Sequence, residues 1–391
     1  KETSISLKQN QYGSLPYMAI RKVSTYLVDA TEELPKKFIF CRVETDDGTV
    51  GWGEAYAIPC RERGIAEFVK GLGDMLLSLD DTSPQSFRNN VKDWYDNGHL
   101  SIDFSSAAGA IEIALWDIRG KQEGKPLCEL LGPVLTRSIP LYANMESRKP
   151  DESIDQLVER CIAIKQHGFD AVKIYPMEHE PLDNAIEFVR RVRQAIGNET
   201  HLLLDFWALE SPDDALQAAH EFAQFNPFWL EEPIAGERIN EMAKIRRKVN
   251  MPIVTGERQS GLHHFRSVLD NEAADILNPD IIGVGGVQDM IEISRLAESY
   301  GVSISPHCWN STLVGTAAMI HTIAVLPNAI IGEYFPHYEP FFAELGELHI
   351  DITSSIATIG DAPGLGVSMY EDALASHEYC STENINSRYI R

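Results

Sequence analysis

The stretch His201–Pro233, HLLLDFWALESPDDALQAAHEFAQFNPFWLEEP, contains the unit from which the fold is built. A short apolar run closes on an acid at Asp205. An amphipathic helical pattern follows, and a second apolar run closes on Glu231 and Glu232. This alternation is the signature of βα repeats around a parallel sheet. Working outward, the same beat recurs at Leu141–Ala143, Ala171–Tyr175, Leu202–Phe206, Phe228–Glu231, Ile253–Gly256, Ile276–Asn278, Ser303–Ser305 and Ile330–Glu333. Eight such runs close a barrel, so the α/β class with a TIM-type barrel is predicted over residues 139–350.

Upstream the rhythm differs. Strands are predicted from Ala19 to about Asp29 and from Phe38 to Thr45, and DDGTVGWGEA joins them to a third through an Asp-Gly turn. Helical patterns follow at about Gly64–Leu79, Pro84–Tyr95 and Ser105–Glu123. Strands followed by helices predict a separate α+β unit over residues 18–138. Residues 1–17 and the polar stretch SHEYCSTENINSRYIR fit neither part and read as peripheral extensions. Within residues 351–391, the Gly- and Pro-rich DAPGLGV at Asp361–Val367 reads as a return over the first unit.

The 391 residues suffice for both units, and a formal charge of −24 disfavours nucleic acid or an anionic membrane as partner. A small anionic substrate would need a local positive centre. No apolar run approaches a membrane span, and KETSISLKQN has no basic-then-apolar leader pattern, so a cytoplasmic protein is expected. The six cysteines form no C-x-x-C pair and read as reduced, packing thiols, Cys308 among them.

Catalytic groups of such barrels sit where strands end, on the C-terminal face. Three consecutive runs place Asp205, Glu231 and Glu257 there. One acid at such a place can simply cap a helix, but three converging on one mouth need a cation. Hard oxygen ligands without a convergent Cys or His set select magnesium, with manganese as a substitute. The next runs lead to Asp280 and His307, a possible dyad in which the carboxylate fixes the tautomer of a general base. In AVKIY, Lys173 and Tyr175 fall on one face of a strand. Lys173 could lower the phenol's pKa or bind a substrate carboxylate, or the two could merely pack. Glu333, in IIGEYF, could donate a hydrogen bond to an enediolate oxygen if protonated, or be a paired structural acid.

Taken together, GWGEA at Gly51–Ala55, ALWDIRGK at Ala114–Lys121, the Asp of LLLDF, WLEEP at Trp229–Pro233, TGER at Thr255–Arg258, NPDIIGVGG at Asn278–Gly286 and SPHCW at Ser305–Trp309 resemble the enolase superfamily, in its mandelate racemase and muconate lactonizing enzyme group. The resemblance spans about Met18–Val367, and Asp205, Glu231 and Glu257 fall 26 residues apart twice. It implies an α+β capping domain, completed by the C-terminal segment, over a modified (β/α)₇β barrel. One magnesium ion per subunit would sit on Asp205, Glu231 and Glu257, with Asp280–His307 as acid/base and Glu333 as oxyanion donor. It also implies a homo-oligomer between dimer and octamer. Two departures matter: relatives with Lys-x-Lys on the second strand are met here by Lys173-Ile174-Tyr175, and Asp-x-His on the third by Asp205-Phe206-Trp207. The implied reaction is removal of a proton alpha to a carboxylate, with dehydration of a sugar acid to a 2-keto-3-deoxy acid as the simplest outcome. Epimerisation or racemisation, cycloisomerisation, or mere binding of a sugar acid by a regulator are the alternatives. Arg61 or Arg63 could offer a second carboxylate site.

Overall fold

The computed structural model describes residues 19–30, 36–94, 100–149, 151–179 and 181–377. The extension at 1–17, residues 31–35 and the tail from 378 therefore lie outside the described residues. The chain opens with three antiparallel strands, β1 (Ile20–Asp29), β2 (Lys37–Thr45) and β3 (Val50–Ala55), in the order β1-β2-β3. Helices α1 (Glu62–Leu77), α2 (Pro84–Trp94) and α3 (Ile102–Glu123) follow, and the short α4 (Cys128–Leu131) leads out. α3 is capped by Ser101, whose side chain accepts from the Phe104 N–H, and it ends on the left-handed Gly124. It is apolar almost all round and buried from Ser105 to Gly120, because the small sheet covers one side and the next domain the other.

The second domain runs β4 (Ser138–Asn144), α5 (Ile154–Gln166), β5 (Ala171–Ile174), α6 (Leu182–Ile196), β6 (His201–Asp205), α7 (Pro212–Phe222), β7 (Trp229–Glu231), α8 (Ile239–Arg246), β8 (Ile253–Thr255), α9 (Leu262–Asp270), β9 (Ile276–Leu277), α10 (Ile281–Val284), α11 (Val287–Ser299), β10 (Ser303–Ile304), α12 (Leu313–Ile323) and β11 (Gly332–Tyr334). The strands pair in parallel from β4 to β10, and β11 returns to pair with β4. Closure is completed where the Ile330 N–H donates to the Ile304 carbonyl. Seven βα units and an eighth strand make a (β/α)₇β barrel.

Strand alternation sets the layers. Ala171, Leu203, Trp229, Val254 and Ile276 cluster with Tyr142, while Val172, Leu202, Leu204, Leu230 and Ile253 join the larger helix-facing core. Two residues beyond Ala171, Leu203 and Trp229, the period of two places Lys173, Asp205 and Glu231. An apolar floor thus carries an ionisable layer directly above it.

After the barrel come α13 (Glu339–Leu345), β12 (Gly346–Leu348), β13 (Ile350–Thr353), β14 (Ile356–Ile359), β15 (Val367–Met369) and α14 (Glu371–Ser376). The β13–β14 hairpin adds to β4, so residues from 351 first extend the barrel sheet. Phe341 of α13 stacks on Phe38 of β2, and further on the chain is tied to the capping domain at Gly364: the Leu127 N–H donates to the Gly364 carbonyl, and the Leu365 N–H to Asp117. Beyond it, α14 lies against β1, where the Asp29 N–H donates to the His377 carbonyl.

Candidate active site

The eight residues read from the sequence as metal ligands or acid/base groups meet at the C-terminal mouth of the barrel. Asp205 and Glu231 face each other in register on β6 and β7. Glu257 follows β8, Asp280 and His307 follow β9 and β10, and Glu333 lies on β11. Sharp left-handed turns at Trp207 (φ 51°) and Glu232 (φ 40°) lead the chain away just after the first two acids.

Lys173 stands at the centre. Its Nζ lies 2.8 Å from Glu231 Oε1, 2.8 Å from Glu333 Oε1 and 3.5 Å from Asp205 Oδ2, fully buried. Burial would lower its pKa, but Glu231 and Glu333 hold it well above the ordinary lysine value. Held between two carboxylates, it is placed as a fixed cation. It does not activate Tyr175: burial drives that phenol well above its usual value, against the pull of Lys173, and Asn144 Nδ2 donates to the phenolic oxygen at 2.8 Å. Strand β5 stops at Ile174, so Tyr175 is outside the alternation that the sequence reading applied to it.

Glu333 departs from expectation as well. Burial would raise its carboxyl, but Lys173 and His307, with donation from the Cys308 N–H at 2.8 Å, bring it down to about 2. Asn144 Nδ2 donates to it at 2.7 Å. Surrounded by donors, Glu333 is a carboxylate with no proton to give. The Cys308 thiol is pushed up by burial and remains a packing group.

The dyad is formed. His307 Nδ1 lies 2.8 Å from Asp280 Oδ2, and its Nε2 lies 3.0 Å from Glu257 Oε2 and 3.5 Å from Glu333 Oε2. Burial would lower the imidazole, but Glu333 and Glu257 raise it well above its ordinary value. The carboxylate on Nδ1 fixes the tautomer and leaves Nε2 as the working nitrogen.

Charge and orphaned atoms test whether this mouth fits a divalent cation. Among the described residues, the five acids Asp205, Glu231, Glu257, Asp280 and Glu333 form their ion pairs with Lys173, Arg258 and His307. Burial raises Asp205 to about 6 and pushes Glu231 well above the usual carboxylate range. Glu231 Oε2 is buried without a hydrogen-bond partner, while Asn278 Nδ2 steadies Oε1 at 2.9 Å. Surplus negative charge and an unused inward oxygen suit a hard cation. Ligand atoms of Glu231, Glu257 and His307 lie within 4.8 Å of one another. Asp205 is outside that group: its Oδ2 leans to Lys173, and its Oδ1 takes the Trp207 N–H at 2.8 Å. The mouth thus offers a cation the unpartnered Glu231 Oε2 with Glu257 close by, whose oxygens face Arg258 and His307, while Asp205 stands beside them.

Sequence reasoning missed Asn144, Asn278 and Arg258. The rule of looking just beyond each apolar run reaches the two asparagines, and TGER ends in the arginine, whose Nε donates to Glu257 Oε1 at 3.1 Å. Arg61, considered for a substrate carboxylate, instead faces Asp103 on the surface. Lys36 brings a capping-domain cation to the mouth, 3.0 Å from Glu146 and over the Tyr338 ring at 4.6 Å.

Two family models match the chain: "Mandelate racemase / muconate lactonizing enzyme, N-terminal domain" over residues 26–132, and "Enolase C-terminal domain-like" over 156–373. Among solved structures, an enolase from environmental shotgun sequencing of the Sargasso Sea is 38% identical, with a TM-score of 0.88 over 93% of this chain and 97% of that one. The 3,6-anhydro-D-galactonate cycloisomerase of Zobellia galactanivorans is 26% identical (TM-score 0.86, 93% and 100% covered). A Mesorhizobium loti protein provisionally assigned as a dehydratase is 25% identical (TM-score 0.84, 92% and 99% covered).

Proposed function

This chain belongs to the mandelate racemase / muconate lactonizing enzyme group of the enolase superfamily, and from that premise we propose that it is a magnesium-dependent enzyme that removes the proton alpha to a carboxylate of a sugar acid and expels the β-hydroxyl. The observation that carries this reading is the asymmetry of the mouth. One face holds an imidazole poised by Asp280 at 2.8 Å. The other holds a lysine locked between two carboxylates and a phenol driven away from acid/base range. A racemase needs competent bases on both faces, whereas elimination can proceed with one.

Asp205, Glu231 and Glu257 would hold the magnesium ion. Bound there, it would supply the Lewis acidity that makes an α-proton removable near neutral pH. Nε2 of His307, which faces Glu257 and Glu333, is the nitrogen placed to take the α-proton. Asp280 keeps Nδ1–H in place as the imidazolium forms. Lys173, fixed at the floor, lends positive charge to the enediolate. The same imidazolium then returns its proton to the departing β-hydroxyl, which leaves as water. The enol left behind ketonises to a 2-keto-3-deoxy acid.

Cycloisomerisation is the second reading, favoured by the likeness to the 3,6-anhydro-D-galactonate enzyme. It shares proton abstraction and differs in the leaving group. Screening acid sugars and their anhydro forms with magnesium, using semicarbazide to detect 2-keto products, tests the proposal. Keto product without ring opening supports dehydration, and product only from anhydro substrates supports cycloisomerisation. Epimers without keto product would sink both. A cytoplasmic homo-oligomer acting on a small anion is part of the same proposal, and the charge of −24 disfavours nucleic acid and anionic membranes as partners. Among the described residues no helix is long and apolar enough to cross a membrane.

A further inference from the structure

We propose that two buried carboxylates of the capping domain, Glu54 and Glu112, are positioning residues for the Asp280–His307 pair, each crossing to the barrel to cap the helix that follows one member of it. The inference rests on the reading of that pair as the acid/base.

Helix α12 begins six residues after His307. Its N-cap, Thr312, makes no side-chain hydrogen bond to its own helix. Glu54, from β3, fills that role: it accepts from the Thr312 N–H at 2.9 Å, the Thr312 hydroxyl at 3.0 Å and the Gly315 N–H at 2.8 Å. Helix α11 begins seven residues after Asp280, and its N-cap, Gly286, has no side chain to offer. Glu112, from α3, accepts from the Val287 N–H at 2.9 Å and the Gln288 N–H at 3.1 Å, with Trp116 Nε1 fixing it at 2.8 Å. Both carboxylates are almost wholly buried. Each carboxyl thereby satisfies N–H groups that a helix start leaves without intrahelical partners.

The barrel makes room for them. A Cβ at Gly286 would lie 2.3 Å from Glu112 Oε2, and one at Gly315 would lie 3.1 Å from Glu54 Oε2. In the other direction, a Cβ at Gly109 of α3 would lie 2.9 Å from the Gly286 nitrogen. A third tie lies between His307 and α12: Asn310 Nδ2 donates to the Ala57 carbonyl of the capping domain at 3.0 Å. The path to the dyad is short. From Glu112 it runs through Gly286 and α10 to Asp280, whose Oδ1 caps α10 at Ile282 while its Oδ2 holds His307. From Glu54 it runs through Thr312 and Asn310 to His307. Neither glutamate touches the reacting atoms, so their contribution is to placement, where an ångström of slack is costly.

The test uses the full chain and the variants Glu54→Gln and Glu112→Gln, in which an amide NH₂ meets the helix donors. Hydrogen–deuterium exchange is read by mass spectrometry and magnesium affinity by calorimetry. Glu54→Gln should speed exchange on the order of tenfold in residues 305–316, and Glu112→Gln in 280–290, with β5–β8 as protected as in the parent. Magnesium affinity should stay within about threefold, and kcat on the sugar acid found in the screen should fall on the order of tenfold with KM little changed. Should Glu54→Gln not fold, Thr312→Val removes one donor of the same contact and should give a smaller change in 305–316. Parent-like exchange in these segments, or a rise spread evenly over the barrel, would overturn the proposal, as would a local rise with kcat retained. If no acid sugar is turned over, the proposed reaction fails while the exchange result still decides whether the glutamates hold these segments.

Discussion

At Glu231, one oxygen takes hydrogen bonds from Lys173 and Asn278 and the other is buried with none. A buried carboxylate oxygen without a donor is costly unless a cation completes it. Glu231→Gln and Glu257→Gln are therefore expected to weaken magnesium binding by about a hundredfold or more in calorimetry. Glu333→Gln, whose carboxylate is already filled by Lys173, Asn144 and Cys308, should keep affinity within about tenfold. Equal losses in all three would mean that the cation sits elsewhere. The two faces of the mouth make a second prediction. His307→Asn should slow deuterium incorporation at the α-carbon by about 10²–10⁴-fold, the usual worth of a general base. Tyr175→Phe should leave it within about tenfold, since that phenol accepts from Asn144 and is driven up by burial. Proton NMR in heavy water reads both, and abolition of exchange by Tyr175→Phe would restore the phenol as a base. The acids and the dyad were legible because a strand's last residues face the mouth whatever surrounds them. The ionic states of Lys173 and Glu333 were not, since they are set by each other and by Glu231, and those side chains come from three different strands.

Helix α3 shows the same contrast at the scale of elements. Its apolar stretch AAGAIEIALWDIRGK was readable as a helix, yet its lack of a polar face has a cause that only packing reveals: the small sheet approaches it at backbone distance. Gly51 and Gly53 of β3 allow this. A Cβ at Gly53 would lie 1.7 Å from the Ala110 carbonyl oxygen, and one at Gly51 would lie 2.1 Å from that of Ala114. Backbone cannot step aside as a side chain tip can, so Gly53→Ala must separate β3 from α3. The expected loss is about 3 kcal/mol, the upper end for overpacking, measured as a lower denaturant midpoint. Gly64→Ala on α1, where nothing lies within 4 Å, is the control and should be neutral or slightly stabilising. A midpoint unchanged in Gly53→Ala would mean that the sheet and helix are not this close. Because Glu54 follows Gly53 directly, the same variant should also loosen the α12 cap. Motifs such as GWGEA were visible as patterns, but the reason for each glycine lies in the partner helix.

The whole molecule is knitted where α12, α4 and the returning chain meet at His321. Its Nδ1 accepts from the Cys128 N–H at 3.3 Å, and its Nε2 lies 3.2 Å from the Leu365 carbonyl, so the neutral ring serves both partners at once. Burial lowers its pKa to about 4, Arg137 adding to the effect, against the smaller pull of Leu365. The unfolded chain would titrate near 6.5. Between these values the unfolded state binds the extra proton, so this contribution is fully present above about 6.5 and is lost as pH falls toward 4. A depression of this size corresponds to roughly 3 kcal/mol, an upper figure for a ring that local opening can hydrate. His179, also lowered to about 4 by burial, acts in the same direction. The isolating experiment is therefore a variant rather than a titration of the parent alone. His321→Gln keeps an acceptor and a donor but has no proton to gain. It should be less stable than the parent at pH 7.5, and its denaturant midpoint should fall less steeply between pH 6.5 and 4, the two curves converging at the acid end. If the variant's midpoint falls as steeply as the parent's, the acid sensitivity belongs to other groups, and the junction between the two domains is not what His321 protects.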